Sequence, residues 1–301
     1  MSARSAAARG VPLRIWLMAA RPRTLPAAIA PVLVGTSLAG SEDVFRPVAF
    51  AAALIGSVFI QFGTNLSNDY SDARRGADTE ERLGPVRVTA GGLVPPRKVL
   101  VATWLAFGIA VAAGAYLIAI AGWELLVVGL ASIAAGVLYT GGPRPYGYEG
   151  LGELFVFGFF GIVAVVGSYY VQVEDLRGLA FALAVPVGLL AAAILMVNNI
   201  RDIDTDRRAG KRTLAVRLGR HRARRLFAAA AYVPFLWVTV VAAVAGMPWL
   251  LLVWLSAPLA PGLVRTVAGR TDGPALNGAL AHAGRLLAAF SVLLSAALLL
   301  S

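Results

Sequence analysis

NLSNDYSD, residues 65–72, ends a long apolar run and brings four polar side chains onto one predicted helix face. Asn65, Asn68, Asp69 and Asp72 occupy positions i, i+3, i+4 and i+7, which a helix aligns in a single stripe. A carboxylate costs about 2.5 to 3.5 kcal/mol at the centre of a bilayer and less near its surface, so this cluster requires cations. Carboxylate and carboxamide oxygens suit Mg²⁺, which is commonly shared with a substrate phosphate. The stretch therefore predicts a Mg²⁺ and phosphate site at the end of a membrane helix.

A second stretch, NNIRDIDTD at residues 198–206, repeats this arrangement at the end of another apolar run. Asn198, Asp202 and Asp206 are spaced by four residues, so a helix places them on one face, and Asp204 is expected to point away. Both stretches continue into loops rich in Arg and Gly. Two acidic faces with basic loops beside them predict one site that holds metal ions and a polyphosphate together.

For either stretch alone, the alternative is a helix end that frays into a charged, solvated loop in which Asp and Arg neutralise one another. Three features argue against it: the two-fold occurrence, the four-residue spacing, and the position of Asn65 and Asn198 one turn deeper in the membrane. An amide that faces lipid loses its hydrogen bonds. We therefore expect these two asparagines to face each other across the interior of a helix bundle.

The composition is that of a polytopic membrane protein. The chain has 301 residues, of which 58% are hydrophobic and 14% charged, with a mean hydropathy of +0.75. Soluble domains contain about 25% charged residues. The absence of cysteine excludes disulfides and thiolate metal sites, and two histidines are too few for a histidine-rich metal centre.

Nine apolar segments approach the length of about 20 residues that a membrane span needs. They cover residues 24–40, 47–68, 99–121, 123–140, 151–171, 178–200, 226–245, 248–265 and 278–300. The sequence therefore predicts an all-α bundle of nine transmembrane helices in the lipid bilayer. Residues 1–23 are expected to form a cytoplasmic N-terminal segment and residues 24–301 a single transmembrane domain.

The basic residues predict the orientation of this bundle. Of the 27 Lys and Arg residues, only Arg46 and Arg177 fall on the side opposite the N-terminus. By the positive-inside rule, the N-terminus and both acidic stretches face the cytoplasm and the C-terminus lies outside. Orientation accounts for most of the net charge of +11, and the remaining basic residues lie beside the acidic stretches. We therefore expect no nucleic-acid partner, and no obligatory protein partner is evident.

Between the fourth and fifth segments lies a cytoplasmic stretch rich in tyrosine, glycine and proline, residues 139–153. Tyr139 ends a predicted helix and could turn its ring toward a developing cation. Tyr146 and Tyr148 fit an interfacial aromatic belt at least as well as a role in the site. Glu153 is a lone acid near the start of a span and needs a structural reason.

The two acidic stretches resemble the Asp-rich motifs of the UbiA family of intramembrane prenyltransferases, and the resemblance covers nearly the whole chain. NDYSD at 68–72 follows the second segment, and Asp202 with Asp206 follows the sixth. RPRTLP at 21–26 and GADT at 76–79 resemble the branch of the family that prenylates 1,4-dihydroxy-2-naphthoate. The general family pattern has a further Asp at position 76, where this chain has Gly, and Asp78 follows instead.

The resemblance implies a polyprenyl diphosphate and a small aromatic acid as substrates and Mg²⁺ as cofactor. It implies that 1,4-dihydroxy-2-naphthoate is prenylated with loss of CO₂, giving demethylmenaquinone at the inner membrane of a bacterium. Two alternatives remain open. One is a UbiA-type enzyme with another acceptor, such as 4-hydroxybenzoate. The other is a cation-coupled transporter, whose site would lie near the midplane of the membrane.

For this chemistry we expect Asp69, Asp72 and Asn68 to hold one Mg²⁺, and Asp202 and Asp206 to hold another. Asp78 is a supplementary metal ligand in the same expectation.

The diphosphate is expected to contact a set of amide and basic side chains that surround the metal ligands: Asn65, Asn68, Arg75, Arg87, Lys211 and Asn198. Asp69, Asp72, Asp202, Asp206 and Tyr139 are the expected catalytic residues, the tyrosine because its ring can stabilise an allylic cation.

Overall fold

Helices make up all the regular structure in residues 11–77 and 83–301, the ranges that the computed structural model describes. The α-helices are α1 (Leu13–Ala20), α2 (Leu25–Gly40), α3 (Pro47–Arg74), α4 (Pro96–Ala121), α5 (Glu124–Leu138), α6 (Gly152–Val173), α7 (Gly178–Arg201), α8 (Ile203–Arg208), α9 (Leu214–Ala245), α10 (Leu259–Gly269) and α11 (Gly273–Leu299). A 3₁₀ helix, Pro248–Ser256, lies between α9 and α10, and residues Phe157–Val163 of α6 are π-helical.

Within the described residues, six helices are long and apolar enough to cross a membrane: α3, α4, α6, α7, α9 and α11. The 3₁₀ helix and α10 together form a seventh candidate that is bent by 46°. The remaining two predicted segments coincide with α2 and α5, which have 16 and 15 residues, fewer than the roughly 20 that a straight span needs. The protein is therefore a multi-pass membrane protein, with helix in all nine predicted segments and six or seven candidate spans by length and composition.

The most deeply buried of these helices is α7, which packs against α2, α6, α9 and α11. Its contact with the π-helical part of α6 is very close, because a Cβ on Gly161 would lie 2.7 Å from the Cα of Gly188. Small residues permit such approaches between membrane helices. This packing fixes α7, whose C-terminal end leads into the second acidic stretch.

Two boundaries differ from the sequence prediction. The helical face expected across residues 198–206 is interrupted, since α7 ends at Arg201 and α8 begins at Ile203. Asp202 lies at the junction with φ −94° and ψ 7°, yet Asp206 N still donates to Asp202 O at 2.7 Å. In addition, α9 begins at Leu214 rather than near 226, because the basic segment before the apolar run is itself helical and Thr213 caps it. Gly219, with φ 74° and ψ 160°, kinks α9 within this basic segment.

Candidate active site

Both acidic stretches line one cavity of about 740 Å³ inside the bundle. The first stretch contributes Asn65, Asn68, Asp69 and Asp72, and the second contributes Asn198, Asp202 and Asp206. Asn65 and Asn198, which were expected to face each other across the interior, both line this cavity. Most of the remaining lining is apolar and comes from α3 to α7. The cavity is thus lined by the acids and amides of two stretches and by many apolar side chains. With cations bound at the acids, such a lining suits a substrate with an anionic head and a hydrocarbon tail.

Asp69 accepts hydrogen bonds from the turn at residues 88–94, which follows the loop after α3. Its Oδ1 accepts a hydrogen bond from Thr89 N at 2.8 Å, and its Oδ2 accepts one from Val88 N at 3.1 Å. The side chain is 2% exposed. Hydrogen bonds to a charged acceptor are stronger than those between neutral groups. Asp69 therefore fixes the backbone next to Arg87, whose side chain reaches the neighbouring acid.

Three segments that are far apart in the sequence contact the carboxylate of Asp72. Its carboxylate accepts a hydrogen bond from Tyr148 Oη at 2.5 Å and one from Arg87 Nη2 at 3.3 Å. The Nζ of Lys211 lies 3.6 Å from the same carboxylate and 4.7 Å from the centre of the Tyr148 ring. Two of the basic residues expected at the diphosphate, Arg87 and Lys211, are thus brought together here.

The other residues expected at the diphosphate near α3 have different surroundings. Asn68 Oδ1 accepts a hydrogen bond from Thr140 Oγ1 at 3.0 Å, and Asn65 Nδ2 donates to Ala20 O at 2.9 Å. Arg75 is exposed and is not part of the cavity lining. It donates to Gly142 O. Asn68 is therefore beside the acids, whereas Asn65 supports the chain that enters α2.

In the second stretch, Asp202 forms a bidentate ion pair with Arg201. The Nε and Nη2 of Arg201 lie 2.8 and 2.6 Å from the two carboxylate oxygens. Arg201 is 1% exposed and also donates to Asn198 Oδ1 at 2.6 Å and to Asn277 Oδ1 at 2.7 Å. Breaking a buried pair of this kind leaves an uncompensated charge. Arg201 therefore determines the charge balance around Asp202.

The two neighbouring acids differ in their positions. Asp206 lines the cavity. Asp204 points away from it, as the spacing predicts, and pairs with Arg220 at 2.7 Å on the exposed side. Asp204 is thus a natural control for the other acids of this stretch.

Comparison with known proteins identifies the family. The model of the UbiA prenyltransferase family matches residues 28–278. This chain belongs to that family. Curated UbiA relatives named 1,4-dihydroxy-2-naphthoate octaprenyltransferase include one from Mycobacterium tuberculosis, 43% identical over 81% of this chain and 83% of its own length. Another, from Escherichia coli K12, is 42% identical over 71% of each chain, and one from Mycobacterium leprae is 39% identical over 95% and 96%.

Solved structures show the same UbiA fold at low sequence identity. A homologue from Archaeoglobus fulgidus bound to GPP and Mg²⁺ has a TM-score of 0.62 at 14% identity, covering 93% of this chain and 99% of that chain. The apo homologue from Aeropyrum pernix has a TM-score of 0.67 at 17% identity, covering 92% and 97%.

A cluster of aromatic rings, Tyr139, Tyr146 and Phe155, forms part of the wall of this cavity. Tyr139 lines the cavity, and its ring meets Tyr146 edge-on with centroids 5.4 Å apart. Tyr146 stacks on Phe155 at 4.0 Å and donates through Oη to Ala135 O at 2.8 Å. Burial raises the pKa of Tyr146 well above its usual value. These rings therefore offer neutral aromatic faces to the cavity.

The oxygen side chains of the two stretches suit Mg²⁺. Among the described residues there is no group of three or more His, Cys, Asp or Glu side chains that could hold a metal ion. Asp78 lies outside the described residues. Each stretch instead supplies two carboxylates and two asparagines to the cavity. One or two carboxylates completed by substrate phosphates is a common arrangement for Mg²⁺.

Several residues at the site were missed by the sequence analysis or given another role. For Tyr148, an interfacial aromatic belt fitted the sequence at least as well as a role in the site, but its hydroxyl donates a hydrogen bond to Asp72. No sequence pattern indicated a role at the site for Arg201 or Asn277. Glu153, noted as a lone acid, is 5% exposed and accepts a hydrogen bond from Asn199 Nδ2 at 2.9 Å. Asn199, next to the predicted Asn198, also lines the cavity.

Proposed function

We propose that this protein transfers a polyprenyl group from polyprenyl diphosphate to 1,4-dihydroxy-2-naphthoate, with loss of CO₂, giving demethylmenaquinone in its reduced, hydroquinone form. The observation that carries the proposal is the set of five bacterial relatives named 1,4-dihydroxy-2-naphthoate octaprenyltransferase, 38–43% identical over most of the chain. The lining of the cavity supports it, because the acids could hold Mg²⁺ beside Arg87 and Lys211 for the diphosphate head and the apolar side chains suit the hydrocarbon tail.

Mg²⁺ is the proposed cofactor, held by Asn68, Asp69 and Asp72 on one side and by Asp202 and Asp206 on the other. Their shared place in the lining of one cavity and their oxygen chemistry support this assignment. When bound, Mg²⁺ acts as a Lewis acid that stabilises the negative charge on the leaving diphosphate.

Lys211 and Arg87 are proposed to bind the diphosphate directly. Their positions beside Asp72 support this role. As the allylic C–O bond breaks, its electron pair leaves with the diphosphate, and fixed cations beside that group stabilise the developing charge without a proton transfer. Asn65, Asn198 and Arg75 remain predicted diphosphate residues, with Asn198 held by Arg201 and Arg75 outside the cavity lining.

The allylic cation then needs protection from water and an aromatic partner. The apolar lining of the cavity excludes water from it, and the ring of Tyr139 is the proposed cation-stabilising group. The ring carbon of the acceptor that bears the carboxylate forms the new C–C bond. The bond to the carboxylate then breaks, its electron pair returns to the ring system, and CO₂ leaves.

The proposed topology has nine spans in a single domain of residues 24–301, in the inner membrane of a bacterium. Helix in each of the nine predicted segments supports this count. The distribution of Lys and Arg supports a cytoplasmic N-terminus, a cytoplasmic active site and an external C-terminus.

Purified protein supplied with Mg²⁺, a labelled polyprenyl diphosphate and each of two aromatic acids tests the function. We expect prenylation of 1,4-dihydroxy-2-naphthoate, with CO₂ released from its carboxyl group, and no turnover of 4-hydroxybenzoate. Asp202→Asn should abolish turnover, whereas Asp204→Asn should not. Prenylation of 4-hydroxybenzoate alone would reassign the acceptor. Cation flux into proteoliposomes without prenyl transfer would favour a transporter.

A further inference from the structure

Residues 21–24 form a constrained corner between α1 and α2, and this corner lines the cavity. Arg21 ends α1 with φ 54° and ψ 70°, in the left-handed region that residues other than glycine seldom adopt. Both Arg21 and Arg23 line the cavity, and Arg21 is the less exposed of the two. A strained backbone that persists is over-determined by its surroundings and is frequent at functional sites.

The surroundings of this corner come from two other helices, of which α3 is the first. Asn65 Nδ2 of α3 donates to Ala20 O at 2.9 Å, and Gln61 Nε2, one turn earlier, donates to Thr24 Oγ1 at 3.0 Å. Thr24 in turn donates to Arg21 O through both N and Oγ1, each at 3.0 Å.

The second supporting helix is α11. A Cβ on Gly284 would lie 2.8 Å from Arg23 O, so α11 approaches the corner too closely for any side chain there. Asn65 lies one helical turn before Asp69 on α3, so the contacts with α3 also fix the corner relative to the first acidic stretch.

The reaction has two anions to bind, and the cavity has cations from separate elements. Arg87 and Lys211 contact Asp72, and Arg201 contacts Asp202, so these three lie where the diphosphate is proposed to bind. Arg21 enters the same cavity from the N-terminal corner. The acceptor carboxylate repels the diphosphate and therefore needs a cation of its own. A guanidinium suits it, because its planar fork binds a carboxylate through two hydrogen bonds.

We infer that Arg21 binds the carboxylate of the aromatic acceptor and so orients the carbon that forms the new bond. The inference rests on the proposed function, because it requires an acceptor with a carboxylate. Arg21 acts in acceptor binding, since the carboxylate leaves as neutral CO₂ and its charge is lost in the reaction. Substitution should therefore raise the KM for the acceptor more than it lowers kcat, and it should leave the KM for polyprenyl diphosphate unchanged.

Two inhibitors that differ only in the carboxylate isolate this contact: 1-hydroxy-2-naphthoate and 1-naphthol. In the wild-type protein the carboxylate compound should bind more tightly. In Arg21→Gln its affinity should fall roughly 10- to 100-fold, as expected for a lost charged hydrogen bond, with 1-naphthol unaffected. Arg21→Lys should restore part of the difference. Arg14→Gln removes the same charge from an exposed position of α1 outside the cavity, and it should change the affinity for neither inhibitor.

Equal losses for both inhibitors in Arg21→Gln, or a rise only in the KM for polyprenyl diphosphate, would overturn the inference. If Arg21→Gln fails to fold, Arg21→Lys carries the comparison, and an unchanged preference for the carboxylate compound in that variant would overturn the inference. Equal affinity of the wild-type protein for the two inhibitors would also overturn it, because no carboxylate site would then exist. Failure of the proposed function is recognised separately, as absence of turnover of 1,4-dihydroxy-2-naphthoate by the wild type. If 4-hydroxybenzoate is the acceptor instead, the matched pair becomes 4-hydroxybenzoate and phenol.

Discussion

Substitution of Asp69 should open the turn at residues 88–94 as well as stop prenyl transfer. The carboxylate accepts hydrogen bonds from Thr89 N and Val88 N at 2.8 and 3.1 Å, and it is 2% exposed. A hydrogen bond to a charged group contributes about 1.5 to 3 kcal/mol. Asp69→Ala removes both and should therefore cost the turn about 3 to 6 kcal/mol. Asp69→Asn can keep one acceptor but turns its NH₂ group toward the other amide, and should cost about half as much.

Hydrogen exchange in detergent, without Mg²⁺, measures this loss locally. Since about 1.4 kcal/mol corresponds to a tenfold change, the amides of Val88 and Thr89 should exchange roughly 100- to 20,000-fold faster in Asp69→Ala, up to the limit set by global unfolding. Asp204→Asn is the control, because this acid pairs with Arg220 on the exposed side. Unchanged exchange in an inactive Asp69 variant would refute the reasoning, and would show that the acid serves only as a ligand.

Three further substitutions or treatments test the same site. Tyr148→Phe removes the donor to Asp72 but keeps the ring beside Lys211, so kcat/KM for polyprenyl diphosphate should fall roughly 10- to 100-fold; an unchanged kcat/KM would contradict this. Arg201→Met leaves Asp202 buried without its partner, which should cost about 3 to 5 kcal/mol. Thermal unfolding should show a smaller loss when Mg²⁺ is present, and an equal loss would argue against a metal at Asp202. Chelation with EDTA should stop turnover and added Mg²⁺ restore it, whereas activity in EDTA would remove the metal from the proposal.

The sequence predicted the elements well because periodicity and apolar length are local properties. The stripe of Asn65, Asn68, Asp69 and Asp72 depends only on the pitch of one helix, and all four side chains reach the cavity. The continuous helix expected across residues 198–206 was wrong, because a break between two helices that keeps the hydrogen bonds on both sides leaves no clear mark in the sequence.

The contacts that organise the site were not predictable in the same way. Tyr148 and Asp72 are 76 residues apart, as are Arg201 and Asn277. Such contacts depend on how the segments approach one another in three dimensions. A tyrosine in a turn-rich segment looks the same in the sequence whether it faces lipid headgroups or a buried acid. Arg201 likewise resembles a basic residue at a helix end, although it is among the most buried side chains in the part of the chain described.

The pairing of acids with basic side chains has a consequence for the order of binding. Asp72 is buried and holds Arg87 and Lys211, so a cation that binds Asp72 competes with both for the carboxylate. Side chains displaced in this way become available to the diphosphate, and binding of either Mg²⁺ or the diphosphate should therefore strengthen binding of the other. By linkage the two effects must be equal in size. Titration of a non-hydrolysable diphosphate analogue at several Mg²⁺ concentrations, and the reverse titration, measures both. Affinity for the analogue that is independent of Mg²⁺ would contradict a shared carboxylate.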